Sequence, residues 1–255
     1  MTATHPTLRI GCAGWSIASR QQALFDAGDS MLARYATRFN AVEINSSFYR
    51  SHQQATYARW AASVPAGFRF AVKLPKAITH EARLLKAGDA LARFADEVGG
   101  LGRKLGAVLV QLPPSLVFDA RVASTFFAML ERRLAVPVAC EPRHASWFEE
   151  RAEPLWQRRC IARVAADPAR LPAAALPGLH GRVTYWRWHG SPRMYYSAYD
   201  DTRLSALADE ISAQGRRSRP AWCIFDNTAH GHAVEDALRL QALMQPKDAE
   251  RGPRK

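Results

Sequence analysis

The chain has 255 residues, a formal net charge of +12, and a composition that is 48% hydrophobic and 23% charged. That composition excludes a disordered, collagenous or low-complexity chain, and the length suffices to bury a core without disulfides. No apolar run approaches the roughly 20 residues that span a bilayer. The N-terminal stretch also lacks a basic region followed by an apolar one, so a cytoplasmic protein without membrane contact is expected.

Short runs rich in Val, Ile, Phe and Trp, bounded by Gly, Pro or Asn, predict strands. In chain order they are LRIGC (8–12), AVEIN (41–45), FRFAVKL (68–74), GAVLVQL (106–112), VPVACEP (136–142), ARVAAD (162–167), VTYWRWH (183–189) and AWCIFDN (221–227). Helical spacing of apolar residues predicts helices over Ala87–Val98, Arg121–Leu134, Thr202–Ala213 and Ala233–Met244. Eight strands alternating with helices predict an α/β fold, a TIM-type (β/α)8 barrel with some irregularity. One domain is expected over 8–245, between an N-terminal tail (1–7) and a basic C-terminal tail (246–255).

Strand parity then sorts the chemistry, because alternate residues share a face. Glu43 and Asn45 oppose Val42 and Ile44, while Tyr185, Arg187 and His189 oppose Trp186 and Trp188. Lys73 lies with Arg69 and Ala71, and Glu141 lies with Arg143. If the apolar set faces the helices, the barrel interior is ionic. Buried charge is costly unless paired, so these groups are expected to pair across it. The cysteines Cys12, Cys140, Cys160 and Cys223 form no CxxC or Cys/His pair, which predicts buried thiols.

Barrel enzymes place their chemistry at the C-terminal strand ends. Those ends carry Trp15 and Ser16, then Glu43, Asn45 and Tyr49, then Lys73, then Gln111. The later ends carry Glu141, Arg143, His144 and Trp147, then Asp167, then Arg187, His189, Tyr195 and Tyr196, and finally Asp226, Asn227 and Thr228. That is more polar chemistry than packing requires. The segments GCAGWS, FNAVEINSSFYR, FRFAVKLPKAITH, LVQLPPS, CEPRHASWF, YWRWHGSPRMYY and IFDNTAHGHA occur in this order. From about residue 8 to 242 they resemble the domain-of-unknown-function 72 family (DUF72, YecE-like proteins). The resemblance implies a TIM-type barrel in a family without an established activity.

Two constellations compete at these ends. Carboxylates with one imidazole suit Mg²⁺, Mn²⁺ or Zn²⁺, so Glu141, Asp167, His189 and Asp226 form a candidate metal set. It is similar to the pattern of xylose-isomerase-like barrels. The same residues read equally as ion pairs, Glu141 with Arg143 or Arg187, with Asp167 capping the turn at Pro168. The second constellation requires no metal: Lys73, Arg143 and Arg187 suit a phosphate or carboxylate. His189 or His144 would then act as acid or base. Trp15, Tyr49, Trp147, Tyr195 and Tyr196 would stack on a base or sugar, or else pack a lid. A glycosidase pair of Glu43 and Glu141 is disfavoured by Gln111, which stands where such barrels carry an acid.

The foremost expectation is an enzyme for a phosphorylated substrate, above all the hydrolysis of a nucleic-acid phosphodiester. Glu43, Lys73, Glu141, Arg143, Arg187 and His189 would be catalytic. Trp15, Asn45, Tyr49, Gln111, His144, Trp147, Tyr196, Asn227 and Thr228 would contact the substrate. The alternatives are a metal-dependent isomerase or lyase for a sugar or small acid, and a nucleic-acid-binding module. The latter would dock through a basic exterior that includes Arg216, Arg217 and Arg219, although GC-rich codons produce the same excess of Arg.

Overall fold

The computed structural model describes residues 7–215 and 219–245. Residues 1–6, Arg216, Arg217 and the expected tail over 246–255 lie outside the described residues. Every predicted strand forms, with ends within two residues of expectation: β1 (Leu8–Cys12), β2 (Ala41–Ile44), β3 (Arg69–Lys73), β4 (Leu105–Gln111), β5 (Val138–Glu141), β8 (Thr184–Trp188) and β9 (Ala221–Phe225). The sixth predicted strand is divided at Val164 into β6 (Ala162–Arg163) and β7 (Ala165–Asp167).

The long helices α3 (Gly88–Val98), α4 (Ala120–Arg133), α6 (Asp201–Gly215) and α7 (His232–Met244) fall where their periodicity places them. Three further helices carry too little pattern to be seen in sequence. Two of them, α1 (Met31–Tyr35) and α5 (Glu153–Arg158), are shorter than two turns, and α2 (Gln54–Ala62) buries only Tyr57. Among the described residues no helix is long and apolar enough to cross a membrane.

All strand pairs are parallel, but the ladder does not close into the expected barrel. It forms two sheets, β1-β9-β8-β7 and β2-β3-β4-β5-β6. Side chains explain the break between β1 and β2, which share a single backbone bridge, Ala13 to Glu43. Asn40 accepts from the Ile10 N–H at 3.2 Å and donates to the Leu8 carbonyl at 2.8 Å. The Tyr35 hydroxyl accepts from the Cys12 N–H at 2.8 Å and donates to the Ala41 carbonyl at 3.1 Å. These groups occupy the positions that neighbouring backbone amides and carbonyls would fill. Gly11 makes the space, since a Cβ there would lie 2.1 Å from the Ala41 oxygen. At the other break, residues 162–167 serve both sheets, β6 pairing with β5 and β7 with β8.

Two apolar layers follow from strand parity. The outer one packs Val42, Ile44, Val72, Val110 and Trp186 with helix residues such as Phe94, Phe127 and Leu204. In the inner one, Ala41, Ala71, Ala107 and Ala139 leave room that Tyr185 and Trp222 fill from the opposite sheet, their rings stacked at 6.0 Å. This floor closes the interior below the polar residues. Cys12, Cys140 and Cys223 are buried as expected, but Cys160 is exposed: it sits at φ 47° just beyond α5 and faces solvent.

Replacing Tyr35 by Phe removes the one group that satisfies both the Cys12 N–H and the Ala41 carbonyl. A loss of about 1–3 kcal/mol is expected, the cost of stranding buried backbone groups. Urea unfolding measures it, and an unchanged midpoint would show that this hydroxyl does not hold the seam.

Candidate functional site

Arg187 lies at the centre of the polar interior and is fully buried. Its guanidinium donates twice to Glu43, from Nε at 3.0 Å and Nη2 at 2.7 Å. It also donates from Nη1 to Glu141 at 2.8 Å and from Nη2 to Asp226 Oδ2 at 3.0 Å. The planar fork of Arg suits such multiple recognition, and no Lys would reproduce it. Glu43 accepts in addition from the Tyr185 hydroxyl at 2.9 Å. Glu141 Oε1 accepts from Gln111 at 3.0 Å and from Arg143, whose Nη2 lies 3.0 Å away. The expected pairing across the interior is therefore present, and it ties β2 and β5 of one sheet to β8 and β9 of the other.

His189 completes the cluster. Its Nδ1 is 3.0 Å from Asp226 Oδ2 and its Nε2 is 3.2 Å from Glu141 Oε1. Burial lowers the imidazole pKa, but Glu141 and Asp226 overcome this and hold it above its ordinary value. Burial likewise pushes both carboxyls up, yet Arg187 and His189 hold Glu141 well below, and Asp226 below, the ordinary range. An ionised carboxylate only accepts, so both ring nitrogens carry protons and His189 is a donor, not a free base.

Lys73 is the exception. It is 5% exposed, and its ammonium lies 4.1 Å from the centre of the Phe48 ring. Among the described residues no hydrogen bond or ion pair reaches its Nζ, because the oxygens of Glu43 and Glu141 are committed to other donors. Burial and the neighbouring Arg187 push its pKa down to about 8, against the pull of Glu43, Asp226 and Glu141. The rim above it is formed by Arg143, His80 and Tyr195. Burial and the charges of Lys73 and Arg143 hold His80 below its ordinary value. Tyr195 stands edge-on to His189 at 5.7 Å and has φ 70°, a conformation that is strained for a residue with a Cβ.

The remaining expected residues scatter. Asp167 is not with Glu141, His189 and Asp226: it binds the Tyr199 hydroxyl at 2.9 Å and pairs with Arg203 on α6. Parity is the reason, because Ala162 and Val164 point inward and Ala165 and Asp167 outward. The four-residue metal set is thereby corrected. The two acids of that set that stay near one another, Glu141 and Asp226, lie with Glu43 around a guanidinium and give it and His189 most of their oxygens. Among the described residues no group of His, Cys, Asp and Glu is arranged to hold one.

Trp147 is buried, donating to the Leu116 carbonyl and packing on Phe118 and Trp156, so it stacks on no substrate. His144 spends its Nδ1 on Ser146, and Trp15 packs edge-on to Trp60 of α2. Tyr49 is exposed, and Tyr196 lies under Arg193 and beside His230. Thr228 lines a cavity of about 490 Å³ with Gly14, Ser16, Arg20 and His230, away from the Arg187 cluster. Asn45 and Asn227 each hold a buried Oδ1 without a partner, while Asn227 Nδ2 donates to Asp236 at 2.7 Å. Sequence reasoning missed Phe48 and Asp236. Asp236 had a signal, as a carboxylate between Ala233, Ala237 and Leu240 on the apolar face of α7.

Comparison with known proteins places the chain in a family and supports its fold. The family described as "Protein of unknown function DUF72" matches residues 9–255. The UPF0759 protein YecE of Escherichia coli (strain K12) is 33% identical over 34% of this chain and 32% of its own length, so that match spans about a third of the relative. The UPF0759 protein YunF of Bacillus subtilis (strain 168) is 20% identical over 96% of this chain and 97% of its own. A DUF72 family crystal structure from Thermotoga maritima MSB8 superposes with a TM-score of 0.78 at 21% identity, covering 93% of this chain and 99% of that one. One from Enterococcus faecalis V583 gives 0.77 at 20% identity, over 94% and 98%.

Two substitutions probe the cluster in opposite directions. Arg187→Met leaves three buried carboxylates without their shared cation and is expected to cost about 3–5 kcal/mol in denaturant unfolding. Lys73→Met is expected to stabilise the protein at pH 7 by up to about 3 kcal/mol, because the wild type holds a charge that burial opposes. The folded pKa of Lys73 is depressed from 10.5 to about 8, so wild-type stability rises between those values as the native amine sheds its proton. The advantage of the Met variant should therefore shrink from pH 8 towards 10.5. A variant that is less stable than wild type at pH 7 would show Lys73 to be a structural cation.

Proposed function

Because the chain belongs to the DUF72 family, described only as one of unknown function, we propose its activity from the site itself: it is an enzyme for a small anionic substrate. The phosphate or carboxylate of that substrate lies over Lys73 and Arg143. The observation that carries this reading is Lys73, a nearly buried ammonium with no protein acceptor, beside an Arg143 side chain that remains 16% exposed. A cation held without a partner has hydrogen-bonding capacity to offer a ligand, and a desolvated site strengthens the attraction.

In this reading the two sheets are halves of one TIM-type wall, and the substrate enters at the C-terminal strand ends. The Ala13–Glu43 bridge and the shared segment 162–167 support that view. Arg187 is not a substrate ligand, since its charge is spent on Glu43, Glu141 and Asp226. It is a positioning residue that fixes the carboxylates. His189 is the proton donor of the cluster. Asp226 Oδ1 is its base, as the only oxygen of the three acids that accepts nothing among the described residues. Phosphoryl chemistry, including the phosphodiester hydrolysis expected above, fits within this class of anion.

Net charge does not favour nucleic acid at the site itself. Lys73, Arg143, Arg187 and the protonated His189 face Glu43, Glu141 and Asp226, four against three, so almost none of the formal +12 resides at the site. A polyanion drawn by that field would meet the outer surface.

Calorimetric titration with inorganic phosphate and with oxalate tests the reading. Binding of at least one is expected, weakened about tenfold or more by Arg143→Ala and by Lys73→Met, each of which removes a charge-assisted contact. Arg158→Ala on the outer surface should leave it unchanged. Absence of binding, or affinities indifferent to both site variants, would refute the proposal.

A further inference from the structure

Lys73 differs from the other lysines of the described residues. Lys76 pairs with Glu81 at 3.1 Å, Lys104 donates to the carbonyls of Ala61 and Val64 at 2.6 Å each, and Lys86 is exposed. Each is therefore solvated or satisfied. Lys73 has an aromatic ring on one side and the guanidinium of Arg187 within Coulombic range, and among the described residues no hydrogen-bond acceptor reaches its ammonium, although Glu43, Asp226 and Glu141 also act on it through space. A lysine desolvated beside another cation is the arrangement that frees an amine to act as a nucleophile. For simple anion binding, a surface lysine or a second arginine would serve without the cost of burial.

The surroundings fit what such a nucleophile requires. Addition of an amine to a carbonyl calls for a group that moves a proton between nitrogen and oxygen. Asp226 lies within Coulombic range of Lys73, and its Oδ1 is uncommitted. Arg143 stands at the rim, fixed at one end by Glu141, where it can hold an anionic group of the same molecule.

Resting on the anion site proposed above, we infer that Nζ of Lys73 condenses with the carbonyl carbon of an aldehyde or ketone substrate whose carboxylate or phosphate is held by Arg143. In the addition step the nitrogen lone pair forms the N–C bond, and the carbonyl π pair moves to oxygen. One proton passes from nitrogen to that oxygen by way of Asp226. A second proton, from solvent, lets the oxygen depart as water with the C–O bonding pair, while the remaining nitrogen lone pair forms the C=N bond. The sum is amine, carbonyl and one proton giving a protonated imine and water, without oxidant or reductant. The protonated imine withdraws electrons from the adjacent carbon, so the substrate class is a carbonyl compound that breaks or forms a bond at that carbon.

The test is trapping with sodium borohydride, whose hydride reduces the imine to a stable secondary amine. The full-length protein is incubated with pyruvate or with acetaldehyde, reduced, and mapped by peptide mass spectrometry. One saturable adduct per chain is expected on the peptide that carries Lys73. It is absent in Lys73→Arg, which keeps the charge, and in Lys73→Met, with thermal unfolding confirming that both variants fold. Arg143→Ala should lower labelling by pyruvate about tenfold and leave labelling by acetaldehyde unchanged. Adducts spread evenly over Lys76 and Lys86, or none on Lys73 with either probe, overturn the inference. If acetaldehyde marks Lys73 and the carboxylate of pyruvate brings no advantage, the nucleophile stands and the anion site falls. If pyruvate displaces phosphate in calorimetry yet is never trapped, the anion site stands and the nucleophile falls.

Discussion

One buried guanidinium organises this molecule. Arg187 on β8 reaches Glu43 on β2, Glu141 at the end of β5 and Asp226 just beyond β9, and so joins two sheets whose backbone ladder is interrupted. A fully buried Arg stays charged and, with His189, holds Glu141 and Asp226 below the ordinary carboxylate range, while those two carboxylates hold His189 above its own ordinary value. The cluster is cooperative in this sense: each charge is tolerable only because the others are present. The stacked Tyr185 and Trp222 below it exclude water and keep the effective dielectric low.

The same satisfaction makes Lys73 conspicuous. Where Arg187, His189 and the three carboxylates each have at least two hydrogen-bond partners, this one has an aromatic face, a neighbouring cation and carboxylates in range that do not bond to it. A fold that needed only stability would place an apolar residue there. A buried charge without a hydrogen-bond partner is the kind of local inconsistency that accompanies function in otherwise consistent structures. The strained backbone of Tyr195 at the rim, the pair of orphaned amide oxygens on Asn45 and Asn227, and the depressed His80 lie at the same end of the strands. These features share one end of the strands, although further orphaned atoms, such as the Nε of Arg163, lie elsewhere among the described residues.

The charge of the chain divides the same way. The interior is largely balanced by pairing, and the excess of Arg lies on the exterior, where α4 presents Arg132 and Arg133, and α5 with the turn before it presents Arg158 and Arg151, to solvent. The interior site and the outer field are separate physical facts, and the field is not evidence for what the interior binds.

Strand order, the inward set of Tyr185, Arg187 and His189, and the partnership of Glu141 with Arg143 were all legible in sequence, because a strand has period two and the apolar residues declare which face meets the helices. The same rule fails on the sixth predicted strand, which is divided between the two sheets: Val164 faces inward and Asp167 outward. Elsewhere short-range pattern determined which side chains enter the interior. It did not determine which of them meet. Whether Lys73 or Arg187 takes the carboxylates depends on distances between strands far apart in the chain. The division into two sheets depends on Tyr35 and Asn40 reaching across from outside either strand, and the burial of Trp147 on the packing of distant loops. Those outcomes are set by cross-sheet geometry and desolvation, which act only once the chain has folded, and a linear pattern carries no record of them.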